Sequence, residues 1–167
     1  MNKIRFFVFL ILIISADLAT AGFEESAKAI QAKDYQAALI EAGKGAVAND
    51  PRAFYLLGEM YRNGLGVERK PIEAFSWYEK AAKGGLVVAF SKVAMAYSRG
   101  EGVARDKDKA LSFARFSAKN QDPEGLFLVY LLLNNDNLSY LNPNGKPDNE
   151  KYQKLASRPL SAREIDI

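Results

Sequence analysis

The stretch AFYLLGEMYRNGLGVERKPIEAFSWYEKAAKGG, Ala53 to Gly85, decides the fold, because it returns in altered form as AFSKVAMAYSRGEGVARDKDKALSFARFSAKNQ, Ala89 to Gln121. At an offset of 36 residues the two copies are identical at Ala53/Ala89, Phe54/Phe90, Tyr61/Tyr97, Gly64/Gly100, Gly66/Gly102, Val67/Val103, Ala74/Ala110, Ser76/Ser112 and Ala82/Ala118. Leu57/Val93, Gly58/Ala94 and Trp77/Phe113 are conservative pairs. Self-similarity at a period of this length marks a repeat architecture, in which each copy is one supersecondary unit that buries its apolar face against its neighbours.

Within a copy the pattern predicts two antiparallel helices. Helix A places Ala53, Leu57, Gly58 and Tyr61 on one face at helical spacing. Gly64 stands just past its end, where a left-handed backbone strains glycine least, and Gly66 allows the chain to reverse. Helix B opens at Asp106 in the second copy, a residue that caps orphan backbone N–H groups. In the first copy Lys70 holds that place and Pro71 follows at the first helical position. Ala74, Trp77, Tyr78, Ala81 and Ala82 are then expected to form the buried face of helix B.

Outward from these copies the pattern wears thin. Residues 23–50 read as a degenerate pair: a short helix to Ala32, a turn at Lys33-Asp34, and a second helix carrying Tyr35, Ala38, Leu39 and Ala46. Pro123 to Leu133 takes the place of a third helix A, with Leu133 where the tyrosine should be and Asn134-Asn135-Asp136 in place of the glycine turn. Its run from Leu126 to Leu133 is apolar on every side, so the tail, through Tyr152, Leu155 and Ile165, is expected to cover it. Asn142 to Pro147 reads as a turn-rich connector.

Residues 1–21 read as a cleavable signal peptide. Lys3 and Arg5 give a cationic start, Phe6 to Ile14 an unbroken apolar run, and Ala19-Thr20-Ala21 a small-residue cleavage site before Gly22. Ser15 and Asp17 interrupt the run well short of the about 20 apolar residues that a membrane span needs. The product is expected to be periplasmic or secreted, monomeric and free of the membrane. The expected organisation is therefore 1–21 signal peptide, 22–52 degenerate helix pair, 53–88 and 89–122 repeats, and 123–167 capping helix and tail.

The string Ala-x₃-Leu-Gly-x₂-Tyr-x₂-Gly-x-Gly-Val…Ala-x₂-Trp-Tyr-x₂-Ala-Ala-x₂-Gly from Ala53 to Gly85 resembles the Sel-one-like repeat family, within the tetratricopeptide-like helical repeats. The resemblance covers two repeats well and a third weakly, and leaves residues 137–167 outside it. Lys70 departs from the family's usual Asp, and Ala94 and Gln121 stand where it has Gly. It implies an all-α superhelical solenoid of antiparallel helix pairs and a protein-binding or scaffold role.

Chemistry of other kinds finds little to stand on. The chain has no Cys and no His, which removes the commonest nucleophile, general base and soft metal ligands together. Some cysteine-rich relatives are described as acting on β-lactams, but this chain has no Ser-x-x-Lys. Asp106/Asp108 and Glu24/Glu25 read as charges at helix N-termini rather than as catalytic pairs. The Gly64-Leu65-Gly66 and Gly100-Glu101-Gly102 pairs lack the preceding strand and the lysine of a phosphate loop. With 23 Lys and Arg against 20 Asp and Glu, and Lys3, Arg5 and Asp17 all in the leader, no basic cluster remains for nucleic acid.

No cofactor, metal site or catalytic residue is expected. The partner is expected to be another protein or a peptide, held by helix A side chains that packing leaves over: Tyr55, Glu59 and Arg62 in the first repeat, and Ser91, Met95, Ser98 and Arg99 in the second. An envelope scaffold and an immunity protein against a delivered effector both fit this reading; a wall-active or β-lactam hydrolase fits it poorly.

Overall fold

The structure, a computed structural model, describes residues 22–133, so the leader, the tail and the connector at Asn142–Pro147 lie outside the described residues. The described chain is all-helical: α1 (residues 22–31), α2 (Tyr35–Val47), α3 (Pro51–Asn63), α4 (Pro71–Lys83), α5 (Val87–Arg99), α6 (Lys107–Lys119) and α7 (Pro123–Leu133). It divides into two compact units between Leu86 and Val87. None of these helices is long and apolar enough to cross a membrane.

The sequence period reappears as a period of backbone hydrogen bonds. After each of α3 and α5 the chain turns through a left-handed glycine, Gly64 at φ 71° and Gly100 at φ 72°. The next N–H then reaches back to the helix, Leu65 to Met60 at 2.9 Å and Glu101 to Ala96 at 3.0 Å. The loops close alike, with Lys70 N–H on the Tyr61 carbonyl at 2.9 Å and Asp106 N–H on that of Tyr97 at 3.0 Å.

The ends of α2, α4 and α6 repeat three times over. Asn49, Gly85 and Gln121, spaced 36 apart in the sequence, all take positive φ, at 59°, 87° and 64°. Each begins a Schellman closure: the N–H of Asp50, Leu86 and Asp122 returns to the carbonyl of Gly45, Ala81 and Ser117 at 3.0, 3.1 and 3.1 Å. Residues 22–50 thus end as a full repeat does. Gln121 adopts the conformation of the glycine it replaces.

The helix starts also follow the sequence. Asp34, Asp50 and Asp106 accept the backbone N–H of Ala37, Arg52 and Lys109 at 3.0, 2.9 and 2.9 Å. Lys70 makes no side-chain cap, and Pro71, which has no N–H to leave orphaned, opens α4 instead.

In the first unit α3 packs on both α2 and α4. Ala38, Ala42, Leu57 and Met60 form its core, all 4% exposed or less. In the second unit α5, α6 and α7 pack mutually around Ala94, Ala110, Ala114, Leu128, Val129 and Leu132. A charge pair reinforces that packing: Lys92 Nζ of α5 lies 2.8 Å from Glu124 Oε2 of α7, both largely shielded from water.

Candidate functional site

A groove of about 840 Å³ opens in the first unit. Its walls are α2 and α4, both packed on α3 beneath them. Phe54, Leu57 and Tyr61, at i, i+3 and i+7, share the face of α3 that turns into it. On the α2 side small residues, Gly43 and Ala46, leave the width open. Val47 follows at the rim, 86% exposed. The α4 wall is Trp77, stacked on Phe54 with ring centroids 5.8 Å apart, and Lys80, whose Nζ sits 3.9 Å from the Trp77 ring centre. Lys83 completes that side. The lining is mostly apolar and contains no carboxylate.

A second cluster lies on α3 about a quarter to a third of a turn from the first, since successive residues advance about 100°. The Tyr78 hydroxyl donates to Glu59 Oε1 at 2.7 Å, and the Tyr55 and Tyr78 rings are 6.0 Å apart. Asn63 Nδ2 donates to the Glu59 backbone carbonyl at 2.9 Å and, more weakly, to Oε2 at 3.3 Å. Burial pushes the Tyr78 hydroxyl pKa far up, and the adjacent Glu59 charge pushes it further, so Tyr78 is a fixed donor at any physiological pH. The arrangement is a positioning network. It offers no proton to transfer near neutrality.

Residues 51–86 and 91–122 match the model of the Sel1 repeat. The chain carries two Sel1 repeats. Among solved structures it is similar to a Sel1 repeat protein from Oxalobacter formigenes, at 30% identity and TM-score 0.64, over 86% of this chain and 56% of that one. It also shares the fold of a protective antigen present in uropathogenic Escherichia coli strains displaying an SLR fold, at 22% identity and TM-score 0.66, over 83% of this chain and 29% of that one. The fold is thus an all-α helical-repeat solenoid. Among curated proteins, 77 residues are 34% identical to Protein SHC1 of Saccharomyces cerevisiae and 35% identical to the alginate biosynthesis protein AlgK of Azotobacter vinelandii. These matches cover 46% of this chain but 15% and 17% of the relatives, so the chain spans only a small part of their length.

The two Sel1 repeats treat the expected partner-binding positions differently. In the first, Tyr55 and Glu59 meet at Tyr78 and the Arg62 charge acts on the same hydroxyl, all three half-buried. In the second, Ser91 is not a surplus position: it is fully buried, and its hydroxyl donates to the Val88 carbonyl at 2.8 Å, with Glu124 Oε2 at 3.4 Å. The cause is α7, which occupies the side of α5 that the sequence reading left open. Met95 is likewise turned against the second core. Ser98 stays half-buried and Arg99 exposed.

Trp77 and Tyr61 also depart from expectation. Spacing alone puts Trp77 on the buried face of helix B and Tyr61 on the packing face of helix A; both are half-buried and line the groove. The signal that could have revealed it is a mismatch at repeat-equivalent positions. Val47 is apolar where the other copies carry Lys83 and Lys119, and Lys80 corresponds to Phe116, which stacks on Phe90 at 4.2 Å.

Proposed function

We propose that this Sel1 repeat protein is an exported protein-binding scaffold with no catalysis of its own. Sel1 repeat proteins are as a rule protein-interaction modules, and that supports the scaffold role. The observation that carries the binding reading is the groove. A lone exposed apolar residue is ordinary on a protein surface, but Val47, Phe54 and Trp77 are contiguous in a concavity the size of a ligand site. The α3 face of Tyr55 and Arg62 is a second surface for the same partner.

Export is supported by the charged, apolar and small-residue segments from Lys3 to Ala21. The lack of catalysis is supported by a sequence without His or Cys, in which the perturbed Tyr78 phenol is locked as a donor.

Site-specific photo-crosslinking in the producing cell tests the binding reading. Benzoylphenylalanine at position 47 should give a discrete adduct with another protein; at position 72, exposed and away from the groove, it should give none. An adduct only from position 55 would move the contact to the other face of α3. Silence at both 47 and 55 would contradict a protein-binding role.

A further inference from the structure

We propose that the groove of the first unit receives a peptide segment of a partner protein that is apolar where it enters and acidic at its flank, with carboxylates meeting Lys80 and Lys83. The inference rests on the protein-binding reading and adds the chemistry of the partner.

The charge inventory carries it. Lys28, Lys44, Lys70, Lys92 and Lys109 each lie within 4.0 Å of a carboxylate of this chain. Among the described residues, Lys33, Lys80, Lys83 and Lys119 have no such partner, and of these Lys80 and Lys83 stand together on the wall of an apolar groove whose lining holds no Asp or Glu. Both belong to the last turn of α4, where a cation is favoured by the helix dipole. That dipole end amounts to only about half a negative charge, so it does not offset the two full positive charges on the groove wall. Lys80 is also held in place, its ammonium resting on the Trp77 ring rather than ranging through solvent.

A phosphate backbone would call for a longer cationic track than two lysines, and an apolar floor gives it nothing to contact. A peptide uses both halves of the site. Its aliphatic or aromatic side chains enter against Phe54, Trp77 and Val47, and its Asp or Glu settle at the lysine rim, where complementary charge sets orientation and speeds encounter.

Trp77 is the chain's single tryptophan, so its emission reports occupancy of this groove and of no other place. A phage-displayed library of random peptides, panned on the full chain, should yield sequences that combine large apolar residues with Asp or Glu. A synthetic selected peptide lacking Trp should shift Trp77 emission, and its affinity should fall as salt is raised. K80E/K83E, on exposed side chains, should weaken it roughly tenfold or more and accept a version with its acids changed to Lys; K80Q/K83Q should lose the charge preference while far-UV CD stays unchanged. Neutral or basic selected peptides, or an empty selection, would overturn the inference. Acidic peptides that leave Trp77 unchanged and lose affinity with Y55A/R62A would overturn it too, yet leave protein binding standing.

Discussion

Gly58 and Tyr78 form a matched pair whose counterpart 36 residues on is Ala94 and Ala114. A methyl group on Gly58 would stand 2.5 Å from Tyr78 Cε1, well inside van der Waals contact. In the second repeat the partner is small, and Ala94 is fully buried without conflict. The departure from the family's glycine is therefore compensated across the helix pair. Gly58→Ala should destabilise by about 1–3 kcal/mol, the range for overpacking a core. In a Tyr78→Ala background the same change should stabilise by up to about 1 kcal/mol, because the clash is gone and alanine is the better helix former. Urea unfolding of the four proteins checks this. A Gly58→Ala effect of the same sign in both backgrounds would show that the tyrosine is not what selects the glycine. The sequence made the small residue at this position legible, but the reason for glycine over alanine needed the ring's place in space.

At the scale of the element, the closures at Asn49, Gly85 and Gln121 share one backbone, and Gln121 alone of the three is a residue poorly suited to it. Left-handed backbone costs a side-chain-bearing residue about 1–2 kcal/mol, and glycine's extra freedom in the unfolded chain returns about 0.5–1 of that. Gln121→Gly should thus raise stability by roughly 0.5–1 kcal/mol in thermal or urea melts; a loss would mean the Gln121 side chain has a role of its own. The start of α6 gives a pH test. The Asp106 carboxylate, accepting the Lys109 backbone N–H, is held below the ordinary carboxylate range. A lowered folded pKa means that its contribution is complete above that range and is lost as pH falls through the lowered value. Asp106→Asn, still a good cap, should leave the melting temperature near neutrality almost unchanged and flatten part of its fall in acid. An acid limb identical to the parent's would remove Asp106 from the account. Helix boundaries, caps and turns were readable because each depends on residues adjacent in the chain. The burial of Ser91 was not, because it depends on Glu124 and α7, 33 residues away.

For the whole molecule, export remains the reading that the first 21 residues support, and the signal layout predicts a mature chain beginning at Gly22. Intact-mass measurement of protein from the soluble extracytoplasmic fraction should give that start; recovery of the uncut chain from membranes would contradict it. The groove was the least legible feature. Its residues come from three helices, and the spacing of two of them, Trp77 and Tyr61, is equally that of a packing face. Periodicity tells which face of a helix is apolar, and it does not tell whether a neighbour arrives to cover that face. Gly58 and Tyr78 bear on the molecule's assembly as well. A chain containing two near-copies of a hairpin can zip the wrong halves together while it folds, a characteristic hazard of repeat arrays. Here α5 offered to α4 would drive Ala94 into Tyr78, and α3 offered to α6 would leave a hole between Gly58 and Ala114. Each half fits only its own mate, so the steric key that separates the two repeats also proofreads their pairing.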